Sequence, residues 1–336
     1  MKNNKVVIIA EAGVNHNGDI KIAKKLIDSA SKAKADYIKF QTFKAENIVT
    51  KMAEKSEYQK SRTDSSKTNQ FEMLKSLELN YESHLELINY CNDKNIKFLS
   101  SAFDLESIDF LQSLNMDLFK IPSGEITNFP YLKKISYLDK PIVLSTGMAS
   151  IDDIENALNV LTSNNLTLDK ICVLHCNTSY PTPMSDVNLK AMNHISKKFN
   201  VKVGYSDHTL GIEVPIAAVA MGATIIEKHL TLNREMDGPD HFASLEPKEF
   251  CEMVLAIENI SLACKGNGIK KPTESELKNI IAARKSIVAK KKILIGEIFN
   301  ENNLTIKRPG NGISPMKWDQ IIGRESKKNY EIDDLI

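Results

Sequence analysis

No apolar run in the 336-residue sequence approaches the roughly 18 residues of a membrane-spanning helix; the longest are strand-sized. Charge of one sign is also missing. A formal net charge of +1 offers no general attraction to nucleic acid or to an anionic membrane, and neither is expected as a partner. Five cysteines, an odd number without a CxxC pair, exclude a disulfide framework and fit reduced thiols. There is no GxxxxGKS/T, so the chain carries no P-loop. The first residues, MKNNKVVIIAEAG, join basic residues to an apolar stretch too short for a secretory signal. The expectation is a cytoplasmic protein. With 42% hydrophobic and 26% charged residues, what remains is an ordinary globular composition, neither disordered nor coiled coil.

Short apolar runs rich in Val and Ile recur, and each ends in polar residues. Eight are read: VVIIAEAG (6–13), YIKFQTF (37–43), KFLSSAF (97–103), LFKIPSGE (118–125), PIVLSTGM (141–148), KICVLHCNTSY (170–180), KVGYSDHT (202–209) and TIIEKHLT (224–231). The pattern is that of strands buried on both faces. Helix-period segments lie between most of them; IKIAKKLIDSASKA (20–33) and IDDIENALNVLTS (151–163) are the clearest, and Ser150 with Asp153 makes a capping-box pattern. Eight βα units over roughly 260 residues predict an α/β fold of the (β/α)8 TIM-barrel type. A doubly wound open sheet is the alternative, disfavoured because polar residues close nearly every strand rather than one crossover.

The connection from Lys44 to Gln70 is polar and lysine-rich, and is read as a lid or binding loop, with a disordered insertion as the alternative. After Cys264 the texture changes. A barrel is expected over 1–265, a linker over 266–282, and over 283–336 a small domain of short strands and glycine turns, with Trp318 in its core. From Gly266 onward 14 Lys and Arg face 9 Asp and Glu, a net of +5; the rest of the chain has 30 against 34, a net of −4. A basic module tied to a slightly acidic barrel suggests docking over an anionic ligand. A solvated basic face accounts for the same charges.

In a barrel the chemistry sits at the carboxyl ends of the strands, on alternate inward positions. Lys39 and Lys120 end different strands. With Ser123, Ser145 and Ser206 they would form a phosphate or carboxylate pocket, two cations for charge and hydroxyls for the remaining oxygens. The alternative is that each lysine pairs with a glutamate as a structural ion pair. His208 and His229 end the last two strands, and two such imidazoles would hold one divalent metal with open positions; a pair of satisfied core histidines is the alternative. Manganese, zinc, iron and cobalt all tolerate imidazole. Glu227 and Asp207 are read as groups that orient these ligands. Glu11 and Glu125 are acid–base candidates, raised in pKa by burial and lowered by the lysines. Cys172 and Cys176 are read as core, and Cys91, Cys251 and Cys264 as helix packing. His16 either touches substrate or makes a turn.

The motifs AEAGVNHNGD, KFQTFKAENI, KIPSGEITNFPYLKKI, LSTGMA, HCNTSYPTP, GYSDHT, IEKHLTL and GPDHFASLEP, followed by KRPGNGISP, occur in order along almost the whole chain. Together they resemble the sialic acid synthase family. The resemblance implies a TIM barrel followed by a small antifreeze-like (SAF) domain. It also implies condensation of phosphoenolpyruvate with an N-acetylmannosamine-type sugar, and a homodimer in which the small domain of one subunit covers the barrel mouth of the other. Motif by motif, His208 and His229 would be the ligands of a divalent metal, Mn2+ first, with Mg2+ or Co2+ as alternatives. Lys39, Lys120, Ser123, Ser145, Thr178 and Ser206 would hold phosphoenolpyruvate. Gln41, Ser101, Phe103, Tyr180 and Asp240 would line the sugar site, and Arg308 of the partner subunit's small domain would reach the sugar's N-acetyl group. LSSAF stands where many members carry STPF, a departure at Ser101. Glu11 and Glu125 would be the carboxylates nearest the chemistry, either of them activating the water that adds at C2 before phosphate leaves with C–O cleavage. HCNTSYPTP and KRPGNGISPM most resemble the bacterial N-acetylneuraminate synthases; relatives that make legionaminic or pseudaminic acid from 2,4-diacetamido-2,4,6-trideoxy sugars are the alternative. A metal aldolase and a non-catalytic sugar-binding protein are remoter ones.

Overall fold

A computed structural model describes residues 5–55, 69–164 and 166–336. Two compact units divide between Lys265 and Gly266. The first is a closed barrel of eight parallel strands in chain order. They are β1 (Val7–Gly13), β2 (Tyr37–Thr42), β3 (Lys97–Ala102), β4 (Phe119–Ile121), β5 (Ile142–Ser145), β6 (Ile171–Cys176), β7 (Lys202–Asp207) and β8 (Ile225–His229). β8 returns to pair with β1, Val7 opposite Ile225 through Glu11 opposite His229, which closes the sheet and overturns the open-sheet alternative.

The strands are apolar on both faces because each is covered twice, by barrel interior and by helix, as in Ile171-Cys-Val-Leu174, where every residue is buried. The covering helices start where the sequence places caps. Asp19 accepts the Lys21 N–H at the head of the helix Ile20–Lys32, which turns Ala23, Leu26, Ile27 and Ala30 inward. Ser150 and Asp153 close the capping box of the helix Ile151–Leu161. Several strands end sooner than their apolar runs. β4 stops at Ile121, where Pro122 has no N–H to continue the ladder, and Ser123–Glu125 form a 3-10 turn. Ser123, Glu125, Thr178, Tyr180 and His208 therefore ride on the loops just beyond the strands, at the barrel mouth.

The second unit has a two-stranded antiparallel sheet, β9 (Ser286–Ala289) with β10 (Leu304–Lys307), over a core of Ile287, Ala289, Ile293, Phe299, Leu304, Ile321 and Tyr330. Trp318 is half-buried and packs on the edge of this core rather than within it. The expected linker over 266–282 contains a helix, Glu274–Ala283, because Thr273 and Glu276 make a full capping box at its start. Cys264 is exposed at the C-terminal cap of the helix Pro247–Ala263, not packed within it; Cys91, Cys172 and Cys176 are buried, and all five thiols are free. In the expected 44–70 lid a short helix, Ala45–Ile48, is formed, while residues 56–68 lie outside the described residues. Among the described residues no helix is long and apolar enough to cross a membrane.

Candidate active site

Strand register brings the polar ends together. Glu11 of β1 stands beside Lys39 of β2 on one side and His229 of β8 on the other. Gln41 stands beside Ser101 of β3, Ser101 beside Lys120 of β4, and Ser206 of β7 beside Glu227 of β8. A bulge in β1 between Glu11 and Gly13 re-aims this end of the strand. Gly13 sits there at φ +51°, and an added Cβ would lie 3.1 Å from Glu11 Oε1.

The result is a buried cluster of two lysines and two glutamates. Lys39 Nζ lies 2.6 Å from Glu11 Oε2 and 3.8 Å from Glu227 Oε2, and Lys120 Nζ lies 3.3 Å from Glu227 Oε1. Hydroxyls complete the ring. Lys120 donates to Ser145 at 2.8 Å, Lys39 to Ser101 at 3.3 Å and Ser206 to Glu227 at 3.0 Å. Each lysine is thus paired with a glutamate, the structural alternative, and two of the three serines expected beside them, Ser145 and Ser206, bond within the same cluster. Burial, opposed by Lys39 and reinforced by Glu227, pushes the Glu11 carboxyl up to about 7. Burial acts on Glu227 in the same sense, but Lys120 and Lys39 together hold it below the ordinary carboxylate value. Burial lowers Lys120, whereas Glu11 and Glu227 outweigh burial at Lys39 and raise it. Glu227, expected to orient a histidine, instead bridges the two lysines. Its parity with His229, two residues on, was the signal that it faces inward.

Beside the lysines, Ser123 accepts the Gly147 N–H at 2.9 Å and meets Cys176 Sγ at 3.3 Å. Cys176, read as core, therefore reaches the site. Thr178 packs here too: a Cβ on Gly147 would fall 2.4 Å from Thr178 Cγ2 and 2.8 Å from Ser123 Oγ.

His208 and His229 face each other with ring centroids 5.4 Å apart, and Tyr180 lies 4.1 Å over the His208 ring. Burial holds both imidazoles neutral, lowering His208 to about 4 and His229 well below its usual value. His208 Nδ1 donates to the Asn177 carbonyl, which leaves the Nε2 lone pair for a ligand. Among the described residues His229 Nδ1, buried, has no hydrogen-bond partner, and it lies 4.0 Å from Asp240 Oδ2. Asp240 is itself pushed by burial up to about 6. Among the described residues no three His, Cys, Asp or Glu side chains converge as a metal cluster. The donor set is two neutral imidazoles with an orphaned ring nitrogen, which fits a divalent ion whose other positions are filled by water or substrate. Asp207 takes no part in orienting His208 through its ring, because Lys228 and Thr209 occupy its carboxylate.

The remaining expected residues make contacts of their own. Gln41 Nε2 is 3.4 Å from Glu11 Oε1. Phe103 packs edge-on against Phe43 at 6.1 Å. Glu125 is half-buried in the turn after β4, accepts Asn128 Nδ2 at 2.6 Å, and is raised by burial. His16 makes a turn, its Nδ1 accepting the Gly18 N–H at 3.0 Å. Arg308 belongs to the second unit, where its Nε donates to the Ala283 carbonyl at 3.0 Å. A cavity of about 630 Å3, lined by Gly18, Thr42, Phe43, Tyr81 and Phe110 among others, contains none of the clustered lysines, glutamates or histidines. The buried ionisable groups, not the volume, mark the site.

The model of the NeuB family matches residues 26–270, and that of the SAF domain residues 284–336. The chain belongs to the NeuB family. It is 54% identical, over 99% of both chains, to the N,N'-diacetyllegionaminic acid synthase of Campylobacter jejuni. To the enzyme of the same name from Legionella pneumophila it is 45% identical over 96% of this chain and 90% of the other. Among solved structures, the N-acetylneuraminic acid synthetase of Leptospira borgpetersenii, in complex with citrate, superposes with a TM-score of 0.73. That match has 35% identity and covers 83% of this chain and 91% of the other. The resemblance read from the motifs, the barrel and the SAF domain are thereby confirmed.

Proposed function

We propose that this NeuB-family synthase joins phosphoenolpyruvate to a 2,4-diacetamido-2,4,6-trideoxy-mannose, giving N,N'-diacetyllegionaminate and phosphate. The buried pair of lysines ringed by serines carries the phosphoenolpyruvate part of the reading. The sugar part is supported by the two legionaminic acid synthases, at 54% and 45% identity. They favour the diacetamido sugar over N-acetylmannosamine, which the motif resemblance had placed first.

In this reading Lys39 and Lys120 take the phosphate and carboxylate charges, with Ser123, Ser145, Thr178 and Ser206 supplying hydroxyls; Ser101, expected at the sugar, joins them because it bonds Lys39. C3 of phosphoenolpyruvate bonds to the aldehyde carbon of the open-chain sugar. Water then adds at C2, and the C–O bond to phosphate breaks with the electron pair leaving on phosphate. His208 and His229 would hold a divalent ion, Mn2+ first, which supplies Lewis-acid polarisation of the aldehyde oxygen when bound. Glu11 lies against Lys39, and a carboxyl pushed up to about 7 can both hold and release a proton at neutral pH. We assign it two transfers, its own proton to the aldehyde oxygen as the C–C bond forms and then the proton from the attacking water, with Glu125 at the mouth as the second candidate for the latter. Gln41, Tyr180 and Asp240 flank the sugar, and Phe103 its wall. The reading includes a homodimer, checked by sedimentation, in which Arg308 of the second subunit meets an acetamido group; Arg308→Ala would then raise the sugar KM.

The test is phosphate release from phosphoenolpyruvate by Mn2+-supplemented protein, run in parallel with the diacetamido sugar and N-acetylmannosamine. Turnover preferring the first supports the reading. Preference for N-acetylmannosamine overturns the sugar assignment, and silence with both overturns the reaction.

A further inference from the structure

Asp207 and Lys228 form the last register pair between β7 and β8. Both side chains are 0% exposed. Alternation along the strands sends this pair to the outside of the barrel wall, while Ser206, His208, Glu227 and His229 face in. Lys228 donates to Asp207 Oδ2 and to the Thr209 carbonyl. Asp207 accepts the Thr209 N–H at 3.1 Å and the Thr209 hydroxyl at 3.0 Å. These four bonds bracket His208 from both of its chain neighbours and tie it to the residue that precedes His229.

Burying a lysine and an aspartate costs desolvation that their attraction often fails to return, and apolar replacements of such pairs are commonly neutral or stabilising. Stability is therefore a weak account of this pair, and its place is a better one. Among the described residues β7 and β8 share no register pair beyond it, so these bonds are the last link between the two strands before His208 and His229. From its other side His208 is held by the Thr182 N–H on its carbonyl, at 2.9 Å, and by Asn177 on its ring. Those two bonds hold the ring and its backbone on one side, and the bonds of Lys228 to Asp207 and Thr209 tie the flanking residues to β8.

We propose that Asp207, Thr209 and Lys228 are positioning residues that set the separation of His208 and His229 for a divalent cation. This rests on the reading of those histidines as metal ligands. Loss of groups that orient metal ligands typically weakens binding by 10- to 100-fold.

Mn2+ binding, read from the free-ion electron paramagnetic resonance signal, tests it without any turnover assay. The full-length protein should bind Mn2+, and His208→Ala should abolish binding. The double variant Asp207→Leu with Lys228→Met should keep the wild-type circular dichroism at the assay temperature with a lowered melting temperature, because the Thr209 N–H, hydroxyl and carbonyl lose their partners, and should bind Mn2+ at least tenfold more weakly. Asp207→Asn with Lys228→Gln, a neutral polar pair that keeps an acceptor for the Thr209 N–H and a donor for the Thr209 carbonyl, should restore binding to within threefold of wild type. Equal affinity in the apolar double variant overturns the positioning role while leaving the metal site intact. Absence of Mn2+ binding by the wild type overturns the metal reading and the inference with it. If the apolar variant is not recovered folded, Thr209→Val, which removes one hydroxyl bond, is decisive: several-fold weaker binding supports the proposal and unchanged binding refutes it.

Discussion

His16 is fully buried, and its Nδ1 accepts the Gly18 N–H, so the ring is neutral with its proton on Nε2. Protonating Nδ1 would set two donors against each other in a dry site. Burial, with His84 and His241 nearby, accordingly lowers this imidazole from 6.5 to about 4. Between those values the unfolded chain binds the proton and the folded chain does not. Stability therefore rises with pH across that window and is lost on acidification. From pH 7.5 to pH 5, the two proton affinities give a loss of about 2 kcal/mol from this one residue. His16→Asn isolates it. The asparagine side chain keeps an acceptor for the N–H two residues on, as in an Asx-turn, and does not titrate. Urea unfolding of the barrel at both pH values, in wild type and variant, gives the difference. The variant should lose about 2 kcal/mol less than wild type on going to pH 5, whatever fixed cost the missing ring adds at both pH values. A difference under about 0.5 kcal/mol would refute the neutral, desolvated imidazole.

His208→Ala and His229→Ala should each abolish phosphate release with little change in far-ultraviolet circular dichroism. Retained turnover in chelator-treated variant would remove the metal role. Glu11→Gln should cost at least about 100-fold in kcat, the scale of a lost acid–base group, and should erase any limb near pH 7 from the kcat profile; a surviving limb points to Glu125. Gly147→Ala drives a methyl into Thr178 and Ser123, so the KM for phosphoenolpyruvate should rise about tenfold or more with the melting temperature nearly unchanged; a normal KM would detach this loop from the anion.

The barrel could be read from sequence because burial on both faces leaves continuous apolar runs, and because Asp19 and Ser150 announce their helices. His208, His229, Lys39 and Lys120 could be read because charged and imidazole groups at the ends of such runs have few structural uses. What escaped depends on contacts across strands. Glu227 bridges both lysines only because the shear of the closed sheet sets it beside Ser206. Cys176 meets Ser123 only because β4 breaks at Pro122. Asp207 adjoins His208 in sequence, yet it turns to Lys228 on the opposite face of the sheet. The helix at Glu274–Ala283 hid in a polar stretch whose composition resembles a linker, although its capping box was written there.

The cluster at the barrel mouth is close to electroneutral: two ammonium groups, one carboxylate held ionised and one poised near neutrality. An anion that takes the Lys39 ammonium competes directly with Glu11. Stripped of that partner, Glu11 keeps the burial that raises it and loses the cation that lowers it, so it takes up a proton. Ligand association is thereby tied to a proton drawn from solvent. Affinity for the anion strengthens as pH falls through 7, and the apparent binding enthalpy shifts with the ionisation enthalpy of the buffer. The barrel exchanges charge for charge, taking up at most one proton as the anion enters.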